Sequence, residues 1–270
     1  NPQPGASPEE RFAALNYAVD RLTRQPGAQV YLDGTHSGWL SVGDAANRLV
    51  RAGVQRAAGF FLNVSNYQLT PQSQKYGTWI SQCIAFANNP EDGGWRLGHY
   101  DYCASQYYPA NPDDFSTWPL TDQWYADNLG TAKPTTHFVV DTSRNGTGPN
   151  DMTRYAEAPY NQPADVVAAL RAGNWCNPPG AGVGLRPTTR TGVPLLDAYL
   201  WVKIPGESDG TCDIAGGARA WDYTVYNPWN VTGDAQRTFD PLWGRVDPRA
   251  GEWFDEQALE LARKANPPLL

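Results

Sequence analysis

Four short apolar segments alternate with helical segments along the chain, and this alternation is the feature that most limits the fold. The apolar segments lie at 29–32, 59–62, 137–140 and 197–203. Short strands separated by helices are typical of parallel βαβ units, because a crossover must carry the chain back to the start of the next parallel strand. The sequence therefore predicts an α/β fold with a parallel sheet.

Helix-end signals and apolar periodicity delimit the helices. Ser7, Pro8 and Glu10 match an N-cap, a first-turn proline and the glutamate of a capping box. Apolar residues then recur at helical spacing at Phe12, Leu15, Val19 and Leu22. Further helices are predicted at 42–52, 121–129, 163–172 and 253–265. Residues 70–119 are aromatic, rich in Gly and Pro and poorly periodic, and we interpret them as a long insertion.

Polar residues follow each predicted strand directly, as they do in a β/α barrel, where the carboxyl ends of the strands carry the active site. A barrel of ~250 residues has about eight strands, whereas this chain of 270 residues shows four predicted strands, with a helix before the first. We therefore interpret residues 1–270 as the later strands and helices of one β/α-barrel domain, with its first strands outside this chain. A long loop is expected at 211–251.

Composition excludes several classes of partner. The net charge is −7, whereas nucleic-acid binding needs clustered Lys and Arg. No apolar run reaches the ~18 residues of a membrane span. Eleven Trp and 14 Tyr beside 26 Gly and 23 Pro indicate long loops that carry many flat aromatic faces. The chain opens at Asn1 with neither Met nor a signal peptide, so an upstream stretch is expected to have been removed or left out.

The four cysteines favour disulfides over a metal site. No CxxC or Cys/His pairing typical of zinc is present. An even cysteine count in an acidic, Trp-rich chain favours two disulfides in a secreted, extracellular protein. Cys83 with Cys103 and Cys176 with Cys212 would each close one loop. Three pairings are possible in principle, and four buried free thiols are the alternative.

The strand ends supply a set of polar and aromatic side chains. They are Asp33, His36 and Trp39; Asn63; Asp141 and Arg144; and Lys203, Glu207 and Asp209. Sugar hydroxyls bind polar side chains, pyranose faces stack on aromatic rings, and paired carboxylates can serve as acid and base at a glycosidic bond. A single Asp at a strand end equally often caps a loop. No second His lies at ligand spacing, so no metal is expected at His36.

Five motifs occur in one order along the chain. They are YLDGTHSGW at 31–39, NVSNY at 63–67, DTSRNG at 141–146, WCN at 175–177 and WVKIPGESDG at 201–210. In this order they resemble the motifs of the glycoside hydrolase family six cellulases over nearly the whole chain. The resemblance implies a distorted seven-stranded β/α barrel and hydrolysis of β-1,4-glucan with inversion. It implies cellulose and cello-oligosaccharides as partners and no cofactor or metal.

The resemblance also implies roles for individual residues. Asp209 matches the proposed catalytic base, bridged by Arg144 and Lys203, although a base acting through a chain of waters is the rival proposal. Asp33 matches an active-site carboxylate. Glucosyl hydroxyls would bind His36, Asn63, Lys203 and Glu207, and leaving-group platforms would be Trp39 and Trp175. Cys176 matches one half of a family disulfide, with Cys212 as its expected partner.

Departures from the family pattern leave alternatives open. The family's general acid lies in a Glu-Pro-Asp segment, which this chain lacks, so a missing N-terminal piece of the same domain is expected to supply it. The long loop at 211–251 favours a tunnel-forming cellobiohydrolase that acts from non-reducing ends. An endo-β-1,4-glucanase, and a non-catalytic glucan-binding protein without the acid, are the alternatives.

Overall fold

The computed structural model describes residues 7–91, 94–214 and 217–269. These residues form two compact units. The first comprises the chain up to Val64 together with Thr70–Asp141 and Pro187–Leu200. The second comprises Ser65–Leu69, Thr142–Arg186 and the chain from Trp201 onward.

A parallel sheet forms the centre of the first unit. Its strands, in spatial and chain order alike, are β1 (Tyr31–Asp33), β2 (Gly59–Leu62), β3 (His137–Asp141) and β4 (Leu196–Leu200). All three pairings are parallel, so the predicted α/β fold with a parallel sheet is confirmed. The last strand ends earlier than predicted. Val202, an apolar residue of the predicted strand, is exposed beyond its observed end.

Side chains of the two outer strands meet across one face of this sheet. The Tyr31 hydroxyl donates to Asp197 Oδ2 at 2.7 Å, and His137 Nδ1 lies 2.7 Å from Asp197 Oδ1. Neighbouring strands lie ~4.8 Å apart, so a flat sheet would separate its first and fourth strands by roughly 14 Å. The Tyr31–Asp197 hydrogen bond therefore requires the sheet to curl around that face.

Helices α1 (Pro8–Leu22), α2 (Val42–Arg51), α3 (Thr70–Ala87) and α4 (Pro119–Asn128) also belong to the first unit. The predicted capping box of α1 is confirmed, because Ser7 Oγ accepts from the Glu10 N–H and Glu10 Oε2 accepts from the Ser7 N–H. Of its predicted apolar stripe only Val19 is buried, and Leu15 and Leu22 are exposed.

Helix α3 was not predicted from the sequence. It lies at the start of residues 70–119, which we interpreted as a long insertion. Its 18 residues bury side chains on several faces, so they lack the one-sided apolar period of a surface helix. Gly77 packs in the middle of α3 against the Phe138 ring of β3. A Cβ built on Gly77 would lie inside van der Waals contact of three Phe138 ring atoms.

The Gly77→Ala variant is expected to lower the free energy of unfolding by ~1–3 kcal/mol, the usual cost of overpacking a core. Elsewhere in a helix the same change stabilises by up to ~1 kcal/mol, so the sign of the effect is diagnostic. Urea unfolding measures it. The same substitution in a Phe138→Leu background should cost less, since the ring that obstructs the methyl group is gone. A stabilising Gly77→Ala would contradict this packing.

The second unit contains α5 (Ala164–Ala172), α6 (Asp255–Arg263) and long connecting segments. The segment after Cys212 contributes to an aromatic cluster together with residues 152–170 of the same unit. In that cluster the Trp221 and Trp229 ring centroids are 6.2 Å apart, and those of Trp229 and Phe239 are 5.3 Å apart. Trp221 is buried with Tyr155 in the same cluster.

Both disulfides form in the pairing that the sequence favoured. Cys83 is bonded to Cys103 in the first unit, and Cys176 to Cys212 in the second. The first bond ties α3 to the segment that precedes α4, and the second closes a loop around the site described below. Among the described residues, no helix has the length and apolar character needed to cross a membrane.

Candidate active site

A carboxylate, Asp209, lies at the centre of a polar cluster in the second unit. Its Oδ2 accepts three hydrogen bonds, from Arg144 Nη1 at 2.8 Å, the Asn177 backbone N–H at 3.0 Å and the Tyr67 hydroxyl at 3.2 Å. Its Oδ1 lies 3.7 Å from Lys203 Nζ. The Asp209 side chain is 7 % exposed. Because three donors already occupy Oδ2, Oδ1 is the oxygen better placed to bond with a water or a sugar hydroxyl.

Arg144 and Tyr67 form a rigid support on one side of this carboxylate. The Arg144 guanidinium lies over the Tyr67 ring, 4.5 Å from its centroid, and Nη2 donates to the Ser65 carbonyl at 2.7 Å. Burial raises the pKa of Tyr67 well above its ordinary value, so its hydroxyl stays protonated and keeps donating to Asp209. The contact expected between Arg144 and Asp209 is present in the structure.

Lys203 lies between two carboxylates. Its Nζ is 3.5 Å from Glu207 Oε1 as well as 3.7 Å from Asp209 Oδ1. Glu207 is the more exposed of the two carboxylates, with 30 % of its side chain accessible. The arrangement brings a cation, a partly exposed carboxylate and a nearly buried one together, as the WVKIPGESDG motif predicted.

Asn177 fixes the backbone on both sides of Asp209. Its Oδ1 accepts from the Asp209 N–H at 2.8 Å, and its Nδ2 donates to Ser208 Oγ at 3.0 Å and to the Gly210 carbonyl at 2.9 Å. Its backbone φ of 35° lies in the left-handed region, which asparagine tolerates better than most residues. Asn177 is therefore a positioning residue for Asp209, and sequence reasoning missed it.

A buried ion pair holds the Asn177 segment in turn. Arg219 and Asp240 side chains are both 0 % exposed, and Arg219 Nε donates to the two Asp240 carboxylate oxygens at 3.0 and 2.9 Å. The Arg219 guanidinium also donates to the carbonyls of Gly173, Cys176 and Asn177. A charged residue in a stretch of Gly and Ala carries no periodic signal, so this role of Arg219 could not be predicted from local sequence.

A second buried acid adjoins this pair. Burial, reinforced by the neighbouring Asp240 carboxylate, raises the pKa of Asp247 to about 8. Asp247 Oδ2 accepts from Asn177 Nδ2 at 3.2 Å. Cys212 Sγ lies close to the two acids, but it is disulfide-bonded and Arg219 occupies Asp240, so we assign no metal to this group.

Asp247 is expected to make stability depend on pH. Its folded-state pKa is above that of an ordinary Asp, so the folded protein binds more protons than the unfolded chain between pH ~4 and 8, and stability falls as pH rises. In the Asp247→Asn variant the amide cannot ionise. Relative to wild type, it should therefore gain at least ~1.4 kcal/mol between pH 5 and pH 8, equivalent to one pKa unit.

Urea unfolding of both proteins at pH 5 and pH 8 checks this expectation. Asp234, which is exposed, provides the matched control, because Asp234→Asn should change stability equally at both pH values. A constant difference between Asp247→Asn and wild type would contradict the raised pKa of Asp247.

Trp175 lies two residues before Asn177 and is 50 % exposed. The disulfide at Cys176 and the Arg219 hydrogen bonds fix the backbone on either side of it. An exposed ring on an immobilised segment, two residues before the residue that holds Asp209, is available to stack on a sugar ring. Its role as a platform remains a prediction.

Three more predicted site residues follow β1 in the first unit. Asp33 Oδ1 accepts from the Thr35 N–H at 2.7 Å, so this carboxylate caps its own loop with one oxygen. His36 Nδ1 accepts from the Gly38 N–H at 3.2 Å, and burial lowers the pKa of His36 to about 4. The imidazole is therefore neutral at pH 7. Trp39 is 65 % exposed, and its ring centroid lies 6.3 Å from that of His36.

Asn63 lies at the end of β2 with its side chain buried. Its Nδ2 donates to the Asp141 carbonyl at 3.0 Å, and its backbone N–H donates to the Thr35 carbonyl at 2.8 Å. These bonds tie together the carboxyl ends of β1, β2 and β3. The contact of Asn63 with a glucosyl hydroxyl remains a prediction.

Comparison with known proteins agrees with this architecture. A family model described as glycosyl hydrolases family 6 matches residues 3–265. Endoglucanase A of Cellulomonas fimi is 33 % identical over 256 residues, which are 95 % of this chain and 34 % of that protein. The probable 1,4-β-D-glucan cellobiohydrolase C of Aspergillus terreus is 31 % identical over 265 residues, 94 % of this chain and 42 % of that protein.

Solved structures show the same likeness. An endoglucanase from Mycobacterium tuberculosis, in complex with a thio-linked cello-oligosaccharide analogue, superposes with a TM-score of 0.54 at 33 % identity, covering 96 % of this chain and 56 % of that one. The catalytic core of a cellobiohydrolase from Chaetomium thermophilum gives 0.51 at 27 % identity, covering 95 % and 56 %.

The fold and these likenesses define the class of protein, an α/β glycoside hydrolase scaffold. Because the family model covers nearly the whole sequence, the chain belongs to family 6 of the glycosyl hydrolases. The resemblance drawn from the five motifs is thereby confirmed. The chain spans about half or less of the length of the relatives it matches.

Proposed function

We propose that this chain carries the later part of the catalytic domain of a secreted cellulase that hydrolyses β-1,4-glucan with inversion. The observation that carries the proposal is the Asp209 cluster, in which the carboxylate is held on one oxygen by Arg144, Tyr67 and Asn177. Trp175, on the same immobilised segment as Asn177, supplies the aromatic face that a pyranose ring stacks on. The two disulfides support a secreted protein.

In the proposed reaction, a water attacks the anomeric carbon from the face opposite the leaving oxygen. The glycosidic C–O bond breaks as an acid protonates that oxygen, and the water's proton passes to Asp209 Oδ1, directly or through a second water. Inversion requires acid and base ~6.5–9.5 Å apart, which leaves room for the water. Asp33 is proposed as a second active-site carboxylate, and neutral His36 as a donor to a glucosyl hydroxyl.

The acid is proposed to come from sequence outside these 270 residues, in the first strands of a seven-stranded barrel. The chain lacks a Glu-Pro-Asp segment. Leu15 and Leu22 of α1 are exposed, and β1 is an outer strand of the described sheet. Both features would be covered by further elements of the domain. A stable monomer of this chain alone that hydrolyses cellohexaose would contradict the proposal.

An exo-acting cellobiohydrolase, working from non-reducing ends, is favoured over an endo-glucanase. The segment after Cys212 is long, and its aromatic cluster of Trp221, Trp229 and Phe239 gives it the internal packing that a tunnel roof needs. Related proteins bear both names. With soluble carboxymethylcellulose, exo action releases reducing ends while viscosity falls slowly. A rapid fall in viscosity with few new reducing ends would show endo action.

A non-catalytic glucan-binding protein is the second candidate, favoured by the lack of the acid in this chain. Incubation of the full-length protein with cellohexaose separates the two. The proposed function predicts cellobiose release, whereas a binding protein retains cellohexaose intact.

A further inference from the structure

The segment 103–109 presents two tyrosines that the site described above does not use. Tyr108 is 78 % exposed and Tyr107 is 42 % exposed. An exposed aromatic ring loses the free energy that burial would provide, so adjacent exposed rings on an ordered segment are typical of a binding surface.

This segment is fixed against the Trp39 loop by several hydrogen bonds. The Tyr107 hydroxyl donates to the Trp39 carbonyl at 2.8 Å. The buried Gln106 amide donates to the carbonyls of Ser37 at 2.9 Å and Leu40 at 2.8 Å. Tyr107 therefore contacts the backbone of the exposed Trp39, and Tyr108 follows Tyr107 on the same anchored segment.

The far side of the segment is anchored as well. Cys103 is disulfide-bonded to α3, and the Tyr125 hydroxyl of α4 donates to the Ala104 carbonyl at 2.9 Å. The Ser105 N–H donates to the Tyr108 carbonyl at 2.7 Å, which closes a tight turn around the two tyrosines. A ring on a backbone held at both ends loses little conformational entropy when a ligand binds.

We propose that Tyr107 and Tyr108 extend the Trp39 platform and bind the faces of additional glucosyl units of a β-1,4-glucan chain. The proposal rests on the proposed function, together with the family resemblance, which implies that Trp39 is a platform for a glucosyl unit on the leaving-group side. A glucan is the expected ligand, because Tyr107 contacts the Trp39 loop and one glucan chain presents repeated flat apolar faces to successive aromatic side chains.

Binding of short and long oligosaccharides tests this surface. The background is the full-length protein carrying Asp209→Asn, which slows cleavage of the ligands, and the probes are cellotriose and cellohexaose in isothermal titration. Tyr108→Ala is expected to weaken cellohexaose binding roughly three- to tenfold, the value of one aromatic contact, and to leave cellotriose binding within twofold. Tyr17→Ala removes a comparably exposed ring on α1 and should change neither affinity.

Substitutions of Tyr107 distinguish the contribution of its ring to binding from that of its hydroxyl. Tyr107→Phe keeps the ring and should retain cellohexaose affinity, whereas Tyr107→Leu should lose it to the same extent as Tyr108→Ala. The proposed platform is contradicted if the background protein binds both sugars and Tyr108→Ala weakens the binding of neither sugar, or weakens the binding of both equally. If the background protein binds neither sugar, the proposed function itself fails.

Discussion

Replacing Asp209 by asparagine is expected to lower the rate of β-1,4-glucan hydrolysis by the full-length protein by a factor on the order of 10²–10⁴, the usual contribution of a general base. Asparagine has nearly the shape of aspartate. Its amide oxygen can take the place of Oδ2 and accept from Arg144, Tyr67 and the Asn177 N–H. The variant thus removes the group that accepts the proton and retains the contacts that position it.

This retention makes the variant informative. If Asp209 acts on the attacking water, kcat should fall while cello-oligosaccharide affinity changes by less than a few fold. A matched carboxylate-to-amide change is Glu256→Gln, at an exposed residue paired with Arg245, and it should leave kcat unchanged. Steady-state kinetics on cellohexaose measures both. Hydrolysis by Asp209→Asn at the wild-type rate would contradict any role of this carboxylate in proton transfer.

Replacing Arg219 by methionine is expected to lower the free energy of unfolding by ~3–5 kcal/mol, the cost of leaving one partner of a buried ion pair alone. Asp240 would lose its cation in a site with no solvent access. The carbonyls of Gly173, Cys176 and Asn177 would lose a donor. Because this segment carries Trp175, the proposed sugar platform, the KM for cellohexaose should rise more than kcat falls.

The control for this variant is an ion pair of the same chemistry at the surface. Arg245 is paired with Glu256, and about half of both side chains is exposed. Arg245→Met should cost less than ~1 kcal/mol, since solvent screens such pairs. Urea unfolding compares the two variants. Equal losses would contradict the view that the buried pair holds the Asn177 segment.

Local signals in the sequence predicted the elements that depend on local chemistry. Strands β2 and β3 are short apolar runs, and Ser7 with Glu10 specifies the start of α1 through contacts three residues apart. Helix α3 was not predicted because its buried residues do not lie on a single face. The need for glycine at position 77 comes from its contact with the Phe138 ring, which is distant in sequence.

The residues of the Asp209 cluster likewise fall into those that the motifs indicated and those that only the structure reveals. The motifs indicated Asp209, Arg144 and Lys203 as neighbours, and the structure brings them together. Asn177 was quoted in the WCN motif, but its role depends on a left-handed backbone and on partners more than 30 residues away. The Arg219–Asp240 pair likewise depends on a chain path that no local pattern encodes.

The central claim, hydrolysis of β-1,4-glucan by direct attack of water at this site, is tested most directly by the configuration of the first product. Proton NMR of the full-length protein acting on cellotetraose resolves the anomeric signals before mutarotation equilibrates them. A single displacement predicts that the α-anomer accumulates first at the newly formed reducing end. Early accumulation of the β-anomer would contradict the claim, and so would binding of cellotetraose with no product at all.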